Sequence, residues 1–354
     1  MISSPVAAAA AVRALDAAID PDLERALAAL DGRAPLLGRM ARYHLGLVDA
    51  DGRAVAPGAV DRGKRIRPAV ALLCCGAAGG DPALAAPLGA AIELLHNFTL
   101  IHDDVQDNSP TRRHRATVWS IWGVGQAINA GDALFAAAHL PLFRLVEAGC
   151  PPALVLRLVE AFDRMAIAIV EGQVRDLGFE GRDDVSPDDY LGMIAGKTAA
   201  ILRYAAWAGA LLGEADEARA ERFAAFGLAL GLGFQIQDDA LGIWGATAET
   251  GKAPADDIRR RKQSLPILLL RARADAPERT ELDAIFHAPA VDSAGVTRVL
   301  ALLDQHRVRE DIAAQVTAEH DRARAALLAA TSDGSNPARD RLLTLVEQLA
   351  VRVG

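Results

Sequence analysis

Aromatic residues are scarce in this chain, only 5% of 354 residues. Runs in which β-branched or aromatic residues alternate strictly with polar ones are missing, which excludes a sheet-built core. Cysteine is nearly absent. The three present, Cys74, Cys75 and Cys150, make no disulfide framework, and the adjacent pair in an apolar stretch reads as small core residues, in keeping with a reducing cytoplasm. Positive charge does not prevail: the net charge is −8 and the pI about 5.5. No general basic field exists to attract nucleic acid or an anionic membrane, so an anionic ligand must be held by local bases or a metal. The amino-terminal run MISSPVAAAAAVRALDAAID has no basic residue before its alanines and soon acquires Arg13 and Asp16, so it reads as a first helix rather than a signal peptide. The later apolar run TAAILRYAAWAGALLG contains Arg203 and falls short of the roughly 20 residues that cross a bilayer. No membrane span is expected.

What the chain has is a composition of 51% hydrophobic and 24% charged residues, the balance of a globular protein with a large core. Alanine and leucine recur at helical spacing almost throughout. The pattern predicts helices over about 5–31, 34–49, 63–78, 82–107, 118–123, 125–149, 152–177, 187–194, 197–213, 216–244, 263–273, 278–288, 294–304, 307–330 and 337–352. The connectors between them are short and rich in glycine, proline and aspartate, and none resembles an interdomain linker. The expectation is an all-α chain forming one helical domain over 1–354, with an amino-terminal helix in 1–33 and peripheral helices in 290–354.

Helix 82–107, and helix 216–244 past its charged first two turns, are apolar on nearly every face until they reach aspartates near their carboxyl ends. A helix apolar all round is buried by others, and carboxylates at its carboxyl end oppose the helix dipole unless something positive neutralises them. Asp103, Asp104 and Asp107 fall within an arc of about 100° on the helix wheel. Asp238 and Asp239 form a second cluster about 135 residues later. Two such clusters point to a metal site between facing helices. Carboxylates without neighbouring histidine or cysteine favour Mg2+, with Mn2+ as a substitute, over zinc. Basic residues gather at loops and helix ends: Lys64, Arg65 and Arg67 in GKRIRP, Arg112, Arg113 and Arg115 after the first cluster, Lys197 at a helix start, and Lys252 and Lys262 after the second. Taken singly they are ordinary surface charges; as a set beside carboxylate clusters they look like a diphosphate receptor.

At these residues the sequence resembles the trans-prenyl diphosphate synthases, or polyprenyl synthetases, from about residue 35 to 350. The shared runs, in order, are GKRIRP at 63–68, ELLHNFTLIHDDVQDNSPTRR at 93–113, GDALFAAA at 131–138, EGQVRDL at 171–177, GKTAAIL at 196–202, FQIQDD at 234–239, and TGK with DIRRRKQSLP within 250–266. The resemblance implies a single antiparallel helical bundle around a central apolar cavity. It implies direct magnesium ligation by Asp103, Asp107 and Asp238, supported by Asp104 and Asp239. Arg112, Lys197 and Lys252 would hold an allylic diphosphate, with Lys262 nearby; Lys64, Arg67, His96 and Arg113 would hold the diphosphate of isopentenyl diphosphate. Thr198 and Gln235 would lie near the allylic cation formed as diphosphate departs, which the isopentenyl double bond then attacks. The family's members are commonly homodimers.

Two departures stand out. Gly242 occupies the place of a third aspartate in the second motif, so retuned metal binding is expected, and RRHRAT replaces the usual RRGxPT, with His114 and Ala116. Product length in the family depends on an aromatic gate four or five residues before the first aspartate, here Thr99 and Phe98. A lone aromatic resembles short-chain synthases, a C20 product first and C15 next. The wheel complicates this, placing Phe98 about 140° from Asp103 but Thr99 only about 40°. Two alternatives remain: a terpene cyclase of the same fold, which would not need Lys64, Arg67, His96 and Arg113, and a noncatalytic subunit of a partner synthase.

Overall fold

The computed structural model describes residues 5–56, 58–245, 255–332 and 334–350. In chain order it contains α1 (Pro5–Ala28), α2 (Pro35–His44), α3 (Ile66–Ala78), a 3-10 turn (Pro82–Ala85) leading into α4 (Ala86–Gln106), the hairpin strands β1 (Thr111–Arg112) and β2 (Arg115–Ala116), α5 (Val118–Trp122), α6 (Val124–Glu147) and α7 (Pro152–Phe179). There follow α8 (Pro187–Ile194), a π-helical turn (Ala195–Ala199), α9 (Ala200–Leu212), α10 (Glu217–Trp244), α11 (Asp256–Arg259), α12 (Leu265–Arg273), α13 (Ala276–His287), α14 (Ser293–Gln305), α15 (Val308–Ala330) and α16 (Pro337–Ala350). The chain is all-α, as the periodicity predicts. Among the described residues the hairpin and the one-turn helix α11 escaped that reading, because elements of two to four residues carry no period.

The contacts divide the chain into two compact units: Met1–Asp163 with Ala205–Ala220 and Ser335–Arg341, and Arg164–Tyr204 with Glu221–Gly334 and Leu342–Gly354. In the first unit α4 is the central helix. Its start is set by Asp81, whose carboxylate accepts from Ala83 N at 2.9 Å, and by prolines that tolerate the first turn. Leu88, Ile92, Leu94 and Leu95 are fully enclosed by α1, α3 and α6. Each contributes about 2 kcal/mol of hydrophobic stabilisation, so α4 is the best anchored scaffold in the unit. Pro82–Gln106 has the length and composition of a membrane span, but 72% of its most apolar window is buried within the protein, as in a core helix. This stretch, rather than 198–213, meets the span criteria. Cys74 and Cys75 are wholly buried on α3, as read from the sequence.

The second unit packs around Tyr190, Ile236, Leu265, Leu268, Leu302 and Ile312. Here α8 begins with a capping box in which Ser186 Oγ accepts from Asp189 N and Asp189 returns a carboxylate oxygen to Ser186 N, both at 3.1 Å. Asp275 and Glu278 repeat the device at the start of α13. The first of these caps fixes the start of α8, which leads directly into the π-helical turn that carries Lys197 and Thr198.

Candidate active site

In the first unit α4 delivers the first cluster in three different settings. Asp103 is half-buried, Asp104 is 1% exposed, and Asp107 is exposed just past the helix end, where its N–H still bonds Asp103 O at 2.8 Å. Asp104 is committed to Arg112, whose Nε donates to Oδ1 at 2.8 Å, while its Oδ2 is enclosed with no partner. Burial raises the Asp104 carboxyl above its ordinary value, with Arg112 opposing the shift.

Arg112 arrives there because the chain reverses immediately after α4. In the hairpin Thr111 pairs with Ala116 and Arg112 with Arg115, so the turn residues are Arg113 and His114. Both have left-handed φ, 49° and 60°, without being glycine. Such a two-residue turn suits the twist of the strands but strains non-glycine residues, and His114 occupies the position where the family usually has glycine. The hairpin aims its arginines in different directions. Arg115 donates to Tyr43 O at 2.9 Å and Val48 O at 3.2 Å and lies over the Tyr43 ring, whereas Arg113 lies against Gly63 in the GKRIRP segment.

Arg67, His96 and Arg113 come together. The charges of Arg67 and Arg113 act on His96, and buried Glu93 acts on both arginines. Burial chiefly pulls Arg67 down to about 10, against the attraction of Glu93. His96 is pushed well below its ordinary value by burial and then by Arg67, Arg113 and Arg112, so it is neutral. Lys64 is exposed on the same segment, one residue from Gly63. Thr99 turns its hydroxyl back to His96 O at 2.8 Å. Phe98 packs edge-on against His102 and tilted against Phe135 of α6, with ring centroids 4.8 and 5.2 Å away.

In the second unit the carboxylates are organised by hydrogen bonds. Asp239 is completely buried and accepts from Tyr190 Oη at 2.5 Å, Gln235 Nε2 at 3.1 Å and Leu265 N at 3.2 Å, with Lys262 Nζ 3.9 Å away. Burial raises Asp239 to about 6, while Lys262 and the Tyr190 bond hold it back. Asp238, its neighbour on α10, is exposed. Thr198 Oγ donates to Gln235 Oε1 at 3.0 Å, which ties the π-helical turn to α10. Lys197, in that turn, pairs with Asp176 of α7. Gly172 lets the two backbones meet: a Cβ there would stand 2.3 Å from Lys197 N. Turns of this kind recur at functional positions, where they offset the side chains that follow. Lys262 is raised above the ordinary lysine range; burial, the largest single influence, works against its charge, but Asp239, Asp257, Asp238 and Asp176 together outweigh it. Lys252 lies outside the described residues.

Gly242 is where the site differs most from its sequence reading. A Cβ at this buried position would be 2.4 Å from Asp257 Oδ2 and 2.5 Å from its Cγ. The carboxylate of Asp257, brought in by α11, fills the space from which a side chain at 242 would project. Sequence reasoning missed Asp257, as it missed Asp176, Tyr190, Glu93 and His44. Asp257 opens the shared DIRRRK run, Asp176 lies in EGQVRDL and Glu93 opens ELLHNF, so membership of these runs was the available signal.

Among the described residues no three His, Cys, Asp or Glu side chains converge into a closed metal cage. The donors near each cluster are carboxylate oxygens, some enclosed without a partner, as at Asp104 Oδ2. Such a donor set fits a hard divalent ion that takes one or two protein carboxylates and completes its shell with water and phosphate oxygens.

A family model described as Polyprenyl synthetase matches residues 54–303. The chain is 44% identical over 285 residues to a geranylgeranyl diphosphate synthase of Mycobacterium tuberculosis, covering 80% of this chain and 78% of that protein. It is 41% identical over 249 residues to a (2E,6E)-farnesyl diphosphate synthase of Mycobacterium bovis, covering 70% and 66%. The crystal structure of a polyprenyl synthetase from Streptomyces coelicolor superposes with a TM-score of 0.84 at 36% identity, over 98% of this chain and 99% of that one. With these matches beside the two carboxylate clusters and their bases, the chain belongs to the polyprenyl synthetase family, the trans-prenyl diphosphate synthases, and is a transferase.

Proposed function

We infer that this enzyme condenses isopentenyl diphosphate with an allylic diphosphate to give a short-chain product, C20 first and C15 next. The observation that carries the reading is the grouping of Arg67, His96 and Arg113 around buried Glu93, a receptor for a second diphosphate that a cyclase acting on one substrate would not need. Relatives that bear geranylgeranyl and farnesyl names support the short-chain class.

In this reading Lys64, Arg67, His96 and Arg113 hold isopentenyl diphosphate. Arg112, Lys197, Lys252 and Lys262 hold the allylic diphosphate and stabilise the charge it gains as its C–O bond breaks. Asp103, Asp107 and Asp238 would hold magnesium, with Asp104, Asp239 and, in addition to the sequence reading, Asp257 behind them. Bound there, the metal supplies Lewis-acid neutralisation of the leaving diphosphate. The oxygens of Thr198 and Gln235 face the developing cation, and apolar walls keep water from quenching it before the isopentenyl double bond attacks and a proton is lost.

Phe98 is proposed as the gate on product length. Its packing on Phe135 ties the gate to α6 as well as to its own helix. A homodimer in the cytoplasm completes the proposal. Val124, Ile128, Leu140, Phe143 and Val146 are all exposed within an arc of about 160° on α6, an apolar face that a second copy would cover.

The test incubates full-length protein with magnesium, isopentenyl diphosphate and C5, C10 or C15 allylic diphosphate, with product length read by mass. Elongation to C20 is expected. Cyclic hydrocarbon from one prenyl diphosphate, with no elongation, would overturn the reading. Phe98→Ala should lengthen the product; an unchanged distribution removes Phe98 as the gate.

A further inference from the structure

Basic groups accumulate around one residue to which no role has yet fallen. His44 ends α2 and lines a small open recess of about 20 Å³ together with Arg112, Arg113, Arg115, Asp61 and Asp104. That volume admits a single water-sized oxygen. The histidine's Nε2 is fully enclosed and has no hydrogen-bond partner. Two of the charges are already occupied: Arg112 with Asp104, and Arg115 with the carbonyls of Tyr43 and Val48. Arg113 is the cation left facing the recess with the imidazole, and His96 is near enough to His44 for the two rings to disfavour each other's protonation.

Burial first, and then Arg112, Arg113 and Arg115, push His44 down to about 3, so at neutral pH the ring carries one proton and no charge. An imidazole walled in by arginines, with an unpaired ring nitrogen, is a poor structural element but a suitable donor to an anion. An anionic oxygen entering the recess would pair with Arg113 and relieve the orphaned nitrogen.

Resting on the isopentenyl diphosphate reading above, the geometry points to His44 as a further binding residue of that receptor, donating from Nε2 to a diphosphate oxygen held by Arg113. It supplements His96 from the opposite side of the arginine cluster in sequence, on α2 rather than α4. Because the ring is neutral, its contribution is a directed hydrogen bond rather than a charge, which favours an oxygen at one position.

Calorimetric titration of isopentenyl diphosphate into full-length protein tests this, with wild type, His44→Ala and His44→Gln compared. His44→Ala should weaken isopentenyl diphosphate on the order of tenfold and raise its KM, with kcat within about twofold and allylic diphosphate affinity unchanged. The amide of His44→Gln should restore most of the loss. Equal isopentenyl diphosphate affinity in wild type and His44→Ala would overturn the assignment, as would equal weakening of both substrates with a lowered Tm, which marks a structural role. Should the alanine variant fail to fold, the ring nitrogen resonances of His44 in the wild-type protein decide: a shift on adding isopentenyl diphosphate supports the contact and none removes it. Wild-type protein that binds no isopentenyl diphosphate defeats the parent reading and this one together.

Discussion

The two units differ in the sign of the charge they want. In the first, burial, and after it the neighbouring arginines, pull Arg67 down to about 10 and keep His44 and His96 neutral. In the second, Asp176, Asp238, Asp239 and Asp257 act together on one lysine and drive it above its ordinary range. One site is short of anions and the other short of cations. The contrast teaches that like charges gathered in one place point to the chemistry of a ligand, since a folded chain tolerates such charge only where something else neutralises it. The first cluster belongs to the basic unit, where Asp104 is enclosed, Asp103 half-buried and Asp107 exposed.

The largest expected effect comes from the accessible carboxylate of the basic unit. Asp103→Ala should lower kcat on the order of 10³-fold while isopentenyl diphosphate affinity, read by calorimetry, stays within a few fold. A variant that retains turnover would mean that Asp103 is not a metal ligand. Next is the pH dependence of the basic unit. An unfolded histidine, near 6.5, is protonated at pH values where folded His44 is still neutral, so the unfolded chain binds more protons and stability falls as pH drops from about 6.5 toward about 3. The loss should reach roughly 3 kcal/mol between pH 6.5 and 4 and be shallower in His44→Gln. Denaturant melts across that range would show identical slopes if the imidazole is solvated instead.

For the acidic unit, Gly242→Asp should destabilise the metal-free protein by about 2 kcal/mol, because its side chain meets the Asp257 carboxylate. Adding Asp257→Gly should recover most of the loss and, with magnesium, much of the metal-dependent rise in Tm. A single variant as stable as wild type would show that the two positions do not share that space. The smallest effect is His114→Gly, which relieves a left-handed residue in the hairpin and should stabilise by about 1 kcal/mol. A drop in stability instead would assign His114 a contact that outweighs its backbone strain.

Much of this molecule is legible along the chain. Helices of the length and apolarity of α4 and α10 announce themselves by periodicity, and aspartates at their ends are conspicuous because nothing local neutralises them. The basic runs stand out for the same reason. What escaped has a common cause. The hairpin has two residues per strand and turns through Arg113 and His114 rather than glycine, so neither period nor turn chemistry marks it. Tyr190 lies in ordinary helical sequence, and Asp176 and Glu93, although inside the EGQVRDL and ELLHNF runs, meet their partners only because other helices bring them there. The helix wheel placed Asp103, Asp104 and Asp107 on one arc, but burial separates them: Asp104 is enclosed and bonded to Arg112, while Asp107 is open.

By itself, the sequence determined that the chain is helical, which helices are core, and where acidic and basic residues gather, because each of these depends on spacing within one segment. Tertiary structure alone decided which of those residues are free to meet a ligand. It committed Arg112 to Asp104, buried Asp239 in a network of four partners, and set Asp257 where position 242 has no side chain. The physical reason is that desolvation and pairing are properties of a neighbourhood, and neighbours distant in sequence are chosen only when the helices pack.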